Sequence, residues 1–279
     1  MDSLHITDVK TLVFEHHVPD VVYDSEGHTR YKPGEKAKRS LVYLKIETSE
    51  GLTGECFGNG GFAEASQISS VLKPILVGSN PLNREDIWQK MWYRARRLDQ
   101  KYLGAVDVAL WDLAGKHAGL PIYQLIGGYR DRVPAYASSA WTDDQNGGLN
   151  SAKAYADFAE QCLEEGYTAF KIHPHPDPQT DIGICQAVHQ RVGDEMELML
   201  DPISAYSFQE AKKVGKALED LGFYWIEDPL INHGYNISAY RKLTRELDIN
   251  VCSGECTTGA HFLTSEFLKH EAVDLIRGD

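Results

Sequence analysis

The sequence predicts an α/β fold in which parallel strands alternate with helices, as in a (β/α)8 barrel. Three short, mostly apolar runs each end in a carboxylate: residues 196–201 end in Asp201, residues 223–227 in Glu227, and residues 249–255 in Glu255. Runs of this length, separated by helix-patterned segments, are typical of buried parallel strands. The acids are evenly spaced, about one strand-and-helix unit apart. They are therefore predicted at the carboxyl ends of neighbouring strands, on one rim.

Three carboxylates on one rim predict a metal site. A single acid after a strand is usually the N-cap of the next helix. Three acids in register bring like charges together, which is costly unless a cation binds them. Mg²⁺ is a hard cation that prefers carboxylate oxygens. We therefore predict that Asp201, Glu227 and Glu255 bind Mg²⁺.

The N-terminal part of the chain predicts strands followed by helices. Strands are predicted over residues 6–14 and 41–48, and the second turns through a glycine-containing segment into residues 55–58. The polar stretch between them, residues 18–36, is predicted to be a solvated loop or, because of its length, a lid. Helices are then predicted over residues 63–72, where the helix stops before Pro74, and over residues 84–97 and 103–117.

From Val133 the pattern changes to alternating strands and helices. Beyond the three runs that end in acids, strands are predicted over residues 133–138, over residues 168–173 and from residue 272. The intervening helices are predicted over residues 151–165, 180–192, 207–221, 237–246 and 260–269. A complete barrel takes about 250 residues, many more than follow Val133. We therefore expect an incomplete barrel of about six strands in a truncated or partial chain.

Several motifs resemble those of a known family. They are Asp201, Trp-Ile-Glu-Asp-Pro at residues 225–229, Gly254-Glu255, Lys171-Ile172-His173, and the segments 105–116 and 119–128. Together they resemble the enolase superfamily, and within it the mandelate racemase/muconate lactonizing group. The resemblance implies an α+β cap domain, residues 1–128, followed by the barrel domain, residues 129–279. It also implies one Mg²⁺ and removal of the proton next to a substrate carboxylate.

Lys171 and His173 are the candidate catalytic residues. They lie two positions apart on a predicted strand, so both point to one face, which in a barrel is the interior unless the pair points outward. The family motif is usually Lys-x-Lys, with the second lysine as the base. The resemblance therefore implies that His173 takes the proton and that Lys171 lies beside the substrate carboxylate. Neutral histidine accepts a proton near pH 7, and superfamily members use either type of base. Lys171 as the base is the alternative.

The resemblance also implies other site residues. Tyr23, Tyr31 and Asn59 lie in segments that match the parts of the cap that close over the substrate. Asp279 matches an aspartate that in some members orients a catalytic histidine on the seventh strand.

The predicted function is dehydration of a sugar acid to a 2-keto-3-deoxy acid through an enediolate. The polar and aromatic residues of the 18–36 segment suit a hydroxylated anion. Racemisation and cycloisomerisation use the same site and remain alternatives. A truncated, non-catalytic remnant is the alternative of another class. The coding sequence after Asp279 would distinguish the enzyme from the remnant.

Composition restricts the partners. The formal net charge of -13 argues against nucleic acid and anionic membranes. The five cysteines form no C-x-x-C pair, so we expect reduced thiols and a cytoplasmic protein. No stretch is apolar enough to predict a membrane span. We expect a protein that acts on a small carboxylate, a sugar acid, and that forms a homo-oligomer when complete.

Overall fold

The computed structural model describes residues 4–23, 29–95, 101–139, 148–174, 177–231, 236–255 and 260–278. The chain forms two compact units. One contains Met1–Val18 and Lys38–Val133, and the other contains Pro19–Ala37 and Pro134–Asp279. The domain division after residue 128 stays a prediction.

The first unit combines a sheet with helices. Its sheet is formed by β1 (Ile6–Tyr23), β2 (Thr29–Thr48) and β3 (Thr53–Gly58), in the order β1-β2-β3, and β2 pairs antiparallel with β3. The parts of β1 and β2 that lie within Pro19–Ala37 belong to the second unit. The helices of the first unit are α1 (Gly61–Gln67), α2 (Lys73–Leu76), α3 (Arg84–Ala95), α4 (Lys101–Ala118) and α5 (Ile122–Leu125). Ile6, Leu44 and Leu110 are among the residues that form its apolar core. Gly54 allows β3 to approach α4, because a Cβ at this position would lie 2.1 Å from the Ala109 carbonyl oxygen.

The predicted loop over residues 18–36 is wrong where the structure describes it. β1 continues to Tyr23 and β2 begins at Thr29, so this polar stretch extends the sheet. Asp20 and Gly34 have positive φ angles of 57° and 82°, and the Gly34 N–H donates to Asp20 Oδ1 at 2.7 Å. This bond links the two strands. Because this stretch is polar, its sequence lacks the alternation of apolar and polar residues by which a half-buried strand is recognised.

The predicted helix stop before Pro74 is also wrong. A π-helical turn, Ile68–Leu72, connects α1 to α2, and the helical path continues to Leu76. Pro74 lies in the first turn of α2, where a missing backbone N–H costs little. The wider turn before it accommodates the proline within a continuing helix.

The second unit contains a six-stranded sheet with every neighbouring pair parallel. The strands, in sheet order, are β4 (Ala137–Ser138), β5 (Ala169–Ile172), β6 (Glu197–Leu200), β7 (Trp225–Glu227), β8 (Asn250–Ser253) and β9 (Leu275–Ile276). The helices are α6 (Ala152–Glu164), α7 (Pro178–Val192), α8 (Phe208–Asp220), α9 (Ile237–Glu246) and α10 (Ala260–Lys269). This alternation confirms the predicted partial α/β barrel. The first and last of these strands are shorter than predicted.

Local sequence explains where the helices of this unit begin. Ser151, Asp177 and Asn236 each accept a hydrogen bond from the backbone N–H three residues later. Ser207 and Glu210 form a capping box at the start of α8. These caps satisfy N–H groups that the helices leave unpaired. Alternate strand residues, such as Phe170, Ile172 and Ile226, pack into the apolar core with the helices. The intervening positions, including Lys171 and Glu227, are thereby directed to the opposite face of the sheet.

A buried polar pair, Asp181 and Tyr206, lies in the same unit. Asp181 of α7 is fully buried, and its Oδ2 accepts a hydrogen bond from the Tyr206 hydroxyl. Its Oδ1 has no hydrogen-bond partner among the described residues. Burial raises the pKa of Asp181 to about 7, which outweighs the opposing effect of the Tyr206 hydrogen bond.

We expect the Asp181→Asn substitution to raise the free energy of unfolding at pH 8 by on the order of 2 kcal/mol. Because the pKa of Asp181 is raised in the folded state, the contribution of this carboxyl to the free energy of unfolding is fully present below about pH 4. That contribution is lost as pH rises through about 7. Urea unfolding between pH 4 and pH 8 measures this dependence. The variant should lose less stability than the wild type across this range. Asp220→Asn, at an exposed position, is the control. If the free energy of unfolding changed with pH in the same way for Asp181→Asn and for the wild type, the expectation would be contradicted.

Candidate active site and metal centre

The structure brings the three predicted acids together. Asp201 follows β6, Glu227 ends β7 and Glu255 lies just after β8. Each offers a carboxylate oxygen, and these oxygens all lie within 4.8 Å of one another. The side chains of Asp201 and Glu227 are each 1% exposed, whereas that of Glu255 is 30% exposed. Three clustered carboxylates, two of them buried, fit the oxygen donor set that Mg²⁺ takes. Their role as ligands stays a prediction.

The turns after β7 and β8 position these acids. Asp228 has a φ of +36°, and it accepts hydrogen bonds from the Ser253 hydroxyl and the Gly254 N–H. Gly254 has a φ of +129°, and a Cβ there would lie 2.4 Å from the Arg277 carbonyl oxygen. Glycine is therefore required where the chain leaves β8, just before Glu255.

Lys171 lies between two of the acids. Its Nζ is 3.0 Å from Asp201 Oδ2 and 2.9 Å from Glu227 Oε2. Burial by itself lowers the pKa of Lys171, but the charges of Asp201 and Glu227 outweigh burial and raise the pKa well above its ordinary value. Lys171 therefore carries a positive charge in this arrangement. A protonated lysine has no free electron pair to accept a proton.

His173 is held from both sides. Its Nδ1 lies 2.9 Å from the Ser139 carbonyl oxygen, and its backbone N–H donates to the Ser139 hydroxyl at 2.8 Å. Because a carbonyl only accepts, Nδ1 carries the proton in this contact. Nε2 faces Asp201 Oδ2 at 3.1 Å. Burial favours the neutral acid at Asp201, but the His173 hydrogen bond, together with the charges of His173 and Lys171, lowers its pKa. Lys171 and His173 thus face the acidic cluster together.

The other predicted site residues are only partly described. Asn59 is exposed and belongs to the first unit, whereas Tyr23 is 41% exposed and belongs to the second. The Tyr31 side chain and Asp279 lie outside the described residues. Substrate contact by Tyr23, Tyr31 and Asn59 and the orienting role of Asp279 remain predictions.

Sequence reasoning missed Arg277 and Ser139. Arg277 contacts Glu227, and its Nη2 lies 3.2 Å from Glu255 Oε1. Ser139 contacts His173. Both residues directly follow barrel strands, β9 and β4. The same strand-end position that singled out the acids would have found them.

Comparisons with known proteins agree with this fold. Residues 28–127 match the family described as mandelate racemase/muconate lactonizing enzyme, N-terminal domain, and residues 154–279 match enolase C-terminal domain-like. The chain belongs to the enolase superfamily, in its mandelate racemase/muconate lactonizing group.

Two curated relatives and one solved structure illustrate the similarity. A 3,6-anhydro-alpha-L-galactonate cycloisomerase of Streptomyces coelicolor is 31% identical, over 77% of this chain and 60% of the relative. An arabinonate dehydratase of Saccharolobus solfataricus is 29% identical, over 86% of this chain and 65% of the relative. The chain thus spans less than two thirds of the length of these relatives. The structure of a D-glucarate dehydratase from Agrobacterium tumefaciens complexed with magnesium has a TM-score of 0.90 and 35% identity, covering 98% of this chain and 73% of that one.

Within the described part of the chain, no helix is both long and apolar enough to cross a membrane.

Proposed function

We propose that the protein is a Mg²⁺-dependent sugar-acid dehydratase that forms a 2-keto-3-deoxy acid. The observation that carries this proposal is the pairing of three clustered carboxylates with Lys171 and His173 on one rim. Relatives named arabinonate dehydratase, L-talarate/galactarate dehydratase and D-xylonate dehydratase support a sugar acid as the substrate. The relative named as a cycloisomerase supports rearrangement of a sugar acid as the second candidate.

Asp201, Glu227 and Glu255 would hold the metal. When bound, Mg²⁺ supplies positive charge that stabilises the negative charge developing on the substrate carboxylate. The protonated ammonium of Lys171 adds a second positive charge beside the substrate carboxylate. The site excludes much of the surrounding water, because Lys171, Asp201 and Glu227 are all buried. Charge stabilisation is stronger in such an environment than in bulk water.

His173 takes the α-proton in this proposal. Its Nδ1 proton is directed to the Ser139 carbonyl, so proton transfer takes place at Nε2, the nitrogen that faces the acidic cluster. Nε2 donates to Asp201 Oδ2 when it carries a proton, and it accepts the α-proton when the ring is neutral. The C–H bond breaks and the proton moves to Nε2, while the electron pair passes into the carboxylate system of the substrate. The β-hydroxyl then leaves as water with the proton that His173 took, and the electron pair of the enediolate forms the double bond of the enol, which becomes the keto acid.

Free thiols support a cytoplasmic location. Among the described residues, Cys56, Cys162, Cys185 and Cys252 are free. Reduced cysteines are typical of cytosolic proteins. Homo-oligomer formation is part of the same proposal and rests on the family resemblance.

Proton exchange in D₂O tests the proposed first step separately from elimination. In the presence of Mg²⁺, we expect at least one acid from a panel of aldonic and aldaric acids to incorporate deuterium at its α-carbon, as detected by NMR. We also expect a keto product that has lost one water. No exchange with any acid, in protein that binds Mg²⁺, would contradict proton abstraction. Exchange with a product of unchanged mass would instead favour cycloisomerisation or racemisation.

A further inference from the structure

Arg277 bridges two of the candidate metal ligands. Its guanidinium contacts Glu227 Oε1 through Nη1 and lies 3.2 Å from Glu255 Oε1 through Nη2. Its backbone is fixed beside the same turn, because the Arg277 N–H donates to the Ser253 carbonyl at 3.2 Å. The side chain therefore reaches the carboxylates from a backbone position that the sheet determines.

The carboxylate oxygens are already satisfied by cations and donors. Glu227 Oε2 accepts hydrogen bonds from Lys171 and from the Trp225 indole N–H at 3.1 Å. The other oxygen of Glu227, Oε1, contacts Arg277. Asp201 Oδ1 accepts from the Ile203 N–H at 3.0 Å. A divalent cation that coordinates Glu227 Oε1 and Glu255 Oε1 must therefore displace the groups now bound there.

Arg277 is the group that can leave. Lys171 is 3% exposed on β5 and its ammonium lies between two buried carboxylates, so it has little access to water. The Arg277 side chain is 29% exposed at the rim, and its long stem can carry the guanidinium outward. Like charges also repel, so a bound divalent cation favours the outward position.

We infer that Arg277 is a resident cation of the carboxylate site, which competes with a divalent metal for Glu227 and Glu255. This inference rests on the proposed metal site and adds a residue that regulates its affinity. In the absence of the metal, the guanidinium reduces the repulsion between the acids and stabilises the fold. When the metal binds, the displaced guanidinium stays at the rim as an additional positive charge for an anionic substrate.

Calorimetric titration of the full chain with MgCl₂ tests the competition. We expect Arg277→Met to bind Mg²⁺ at least about 10-fold more tightly than the wild type, since the ligands lose a competing cation. Arg277→Lys should fall between them, because one ammonium cannot bridge two carboxylates as a planar guanidinium does. Arg191→Met is the matched control. Arg191 pairs with Asp157 and Glu160 on the surface, so its loss removes the same charge without altering Mg²⁺ affinity.

Thermal unfolding supplies the second measurement. In EDTA, Arg277→Met should unfold at a lower temperature than the wild type, and saturating Mg²⁺ should close this gap. If Arg277→Met does not fold in EDTA, Arg277→Lys is compared instead. Unchanged or weaker Mg²⁺ binding by Arg277→Met, or a stability gap that persists with Mg²⁺, would overturn the inference while leaving the metal site intact. Failure of the wild type to bind Mg²⁺ would overturn both.

Discussion

Replacing His173 with alanine is expected to reduce α-proton exchange by about 10³-fold, the range over which general bases contribute. Nε2 is the nitrogen directed at the acidic cluster, and the Ser139 carbonyl holds the proton on the other side of the ring. Burial lowers the pKa of Lys171, but the charges of Asp201 and Glu227 outweigh burial and raise the pKa above its ordinary value, which favours His173 over Lys171 as the base. Deuterium incorporation at the α-carbon, measured by NMR in D₂O, isolates this step even if elimination is slow.

Two further variants make this result specific to His173. His270→Ala removes a histidine from the surface, where the side chain is 52% exposed, and should leave exchange unchanged. Mg²⁺ affinity of His173→Ala should stay close to that of the wild type, because His173 is not among the predicted ligands. Exchange that persists in His173→Ala but disappears in Lys171→Ala would reverse the two roles.

The Glu227→Gln substitution is expected to weaken Mg²⁺ binding by about 100-fold, or about 2.7 kcal/mol. Glu227 is the ligand candidate on the middle one of the three strands, and its side chain is 1% exposed. The amide removes one negative charge and replaces one acceptor oxygen with a donor that repels a cation. Calorimetric titration with MgCl₂ measures the affinity directly.

The same substitution should also destabilise the protein when EDTA is present. Glu227 pairs with both Lys171 and Arg277, so the neutral amide leaves a buried lysine with one carboxylate instead of two. Glu266→Gln changes a partly exposed helical acid in the same way and is expected to affect neither property. A Glu227→Gln protein that binds Mg²⁺ as tightly as the wild type would remove Glu227 from the proposed ligand set.

Local sequence was sufficient to predict most elements of the second unit. Helix α9 spans Ile237–Glu246 and α10 spans Ala260–Lys269, as predicted, because apolar periodicity and flanking polar residues act within a few positions of the chain. The clustering of Asp201, Glu227 and Glu255 also followed from local patterns. Neighbouring parallel strands end at the same edge of a sheet, so residues at equivalent strand ends must approach one another.

Sequence by itself therefore determined the α/β class, the order of strands and helices in the second unit, and which acids would meet. Tertiary structure decided the rest. Lys171, Arg277 and Ser139 acquire their partners through contacts between residues that lie far apart in the chain, and no local pattern encodes such distances. The polar strands around Asp20 are stabilised by pairing across the sheet, which overrides a composition typical of loops. Charge compensation at the rim depends on through-space geometry, because electrostatic energy is set by the separation of the charges and their burial.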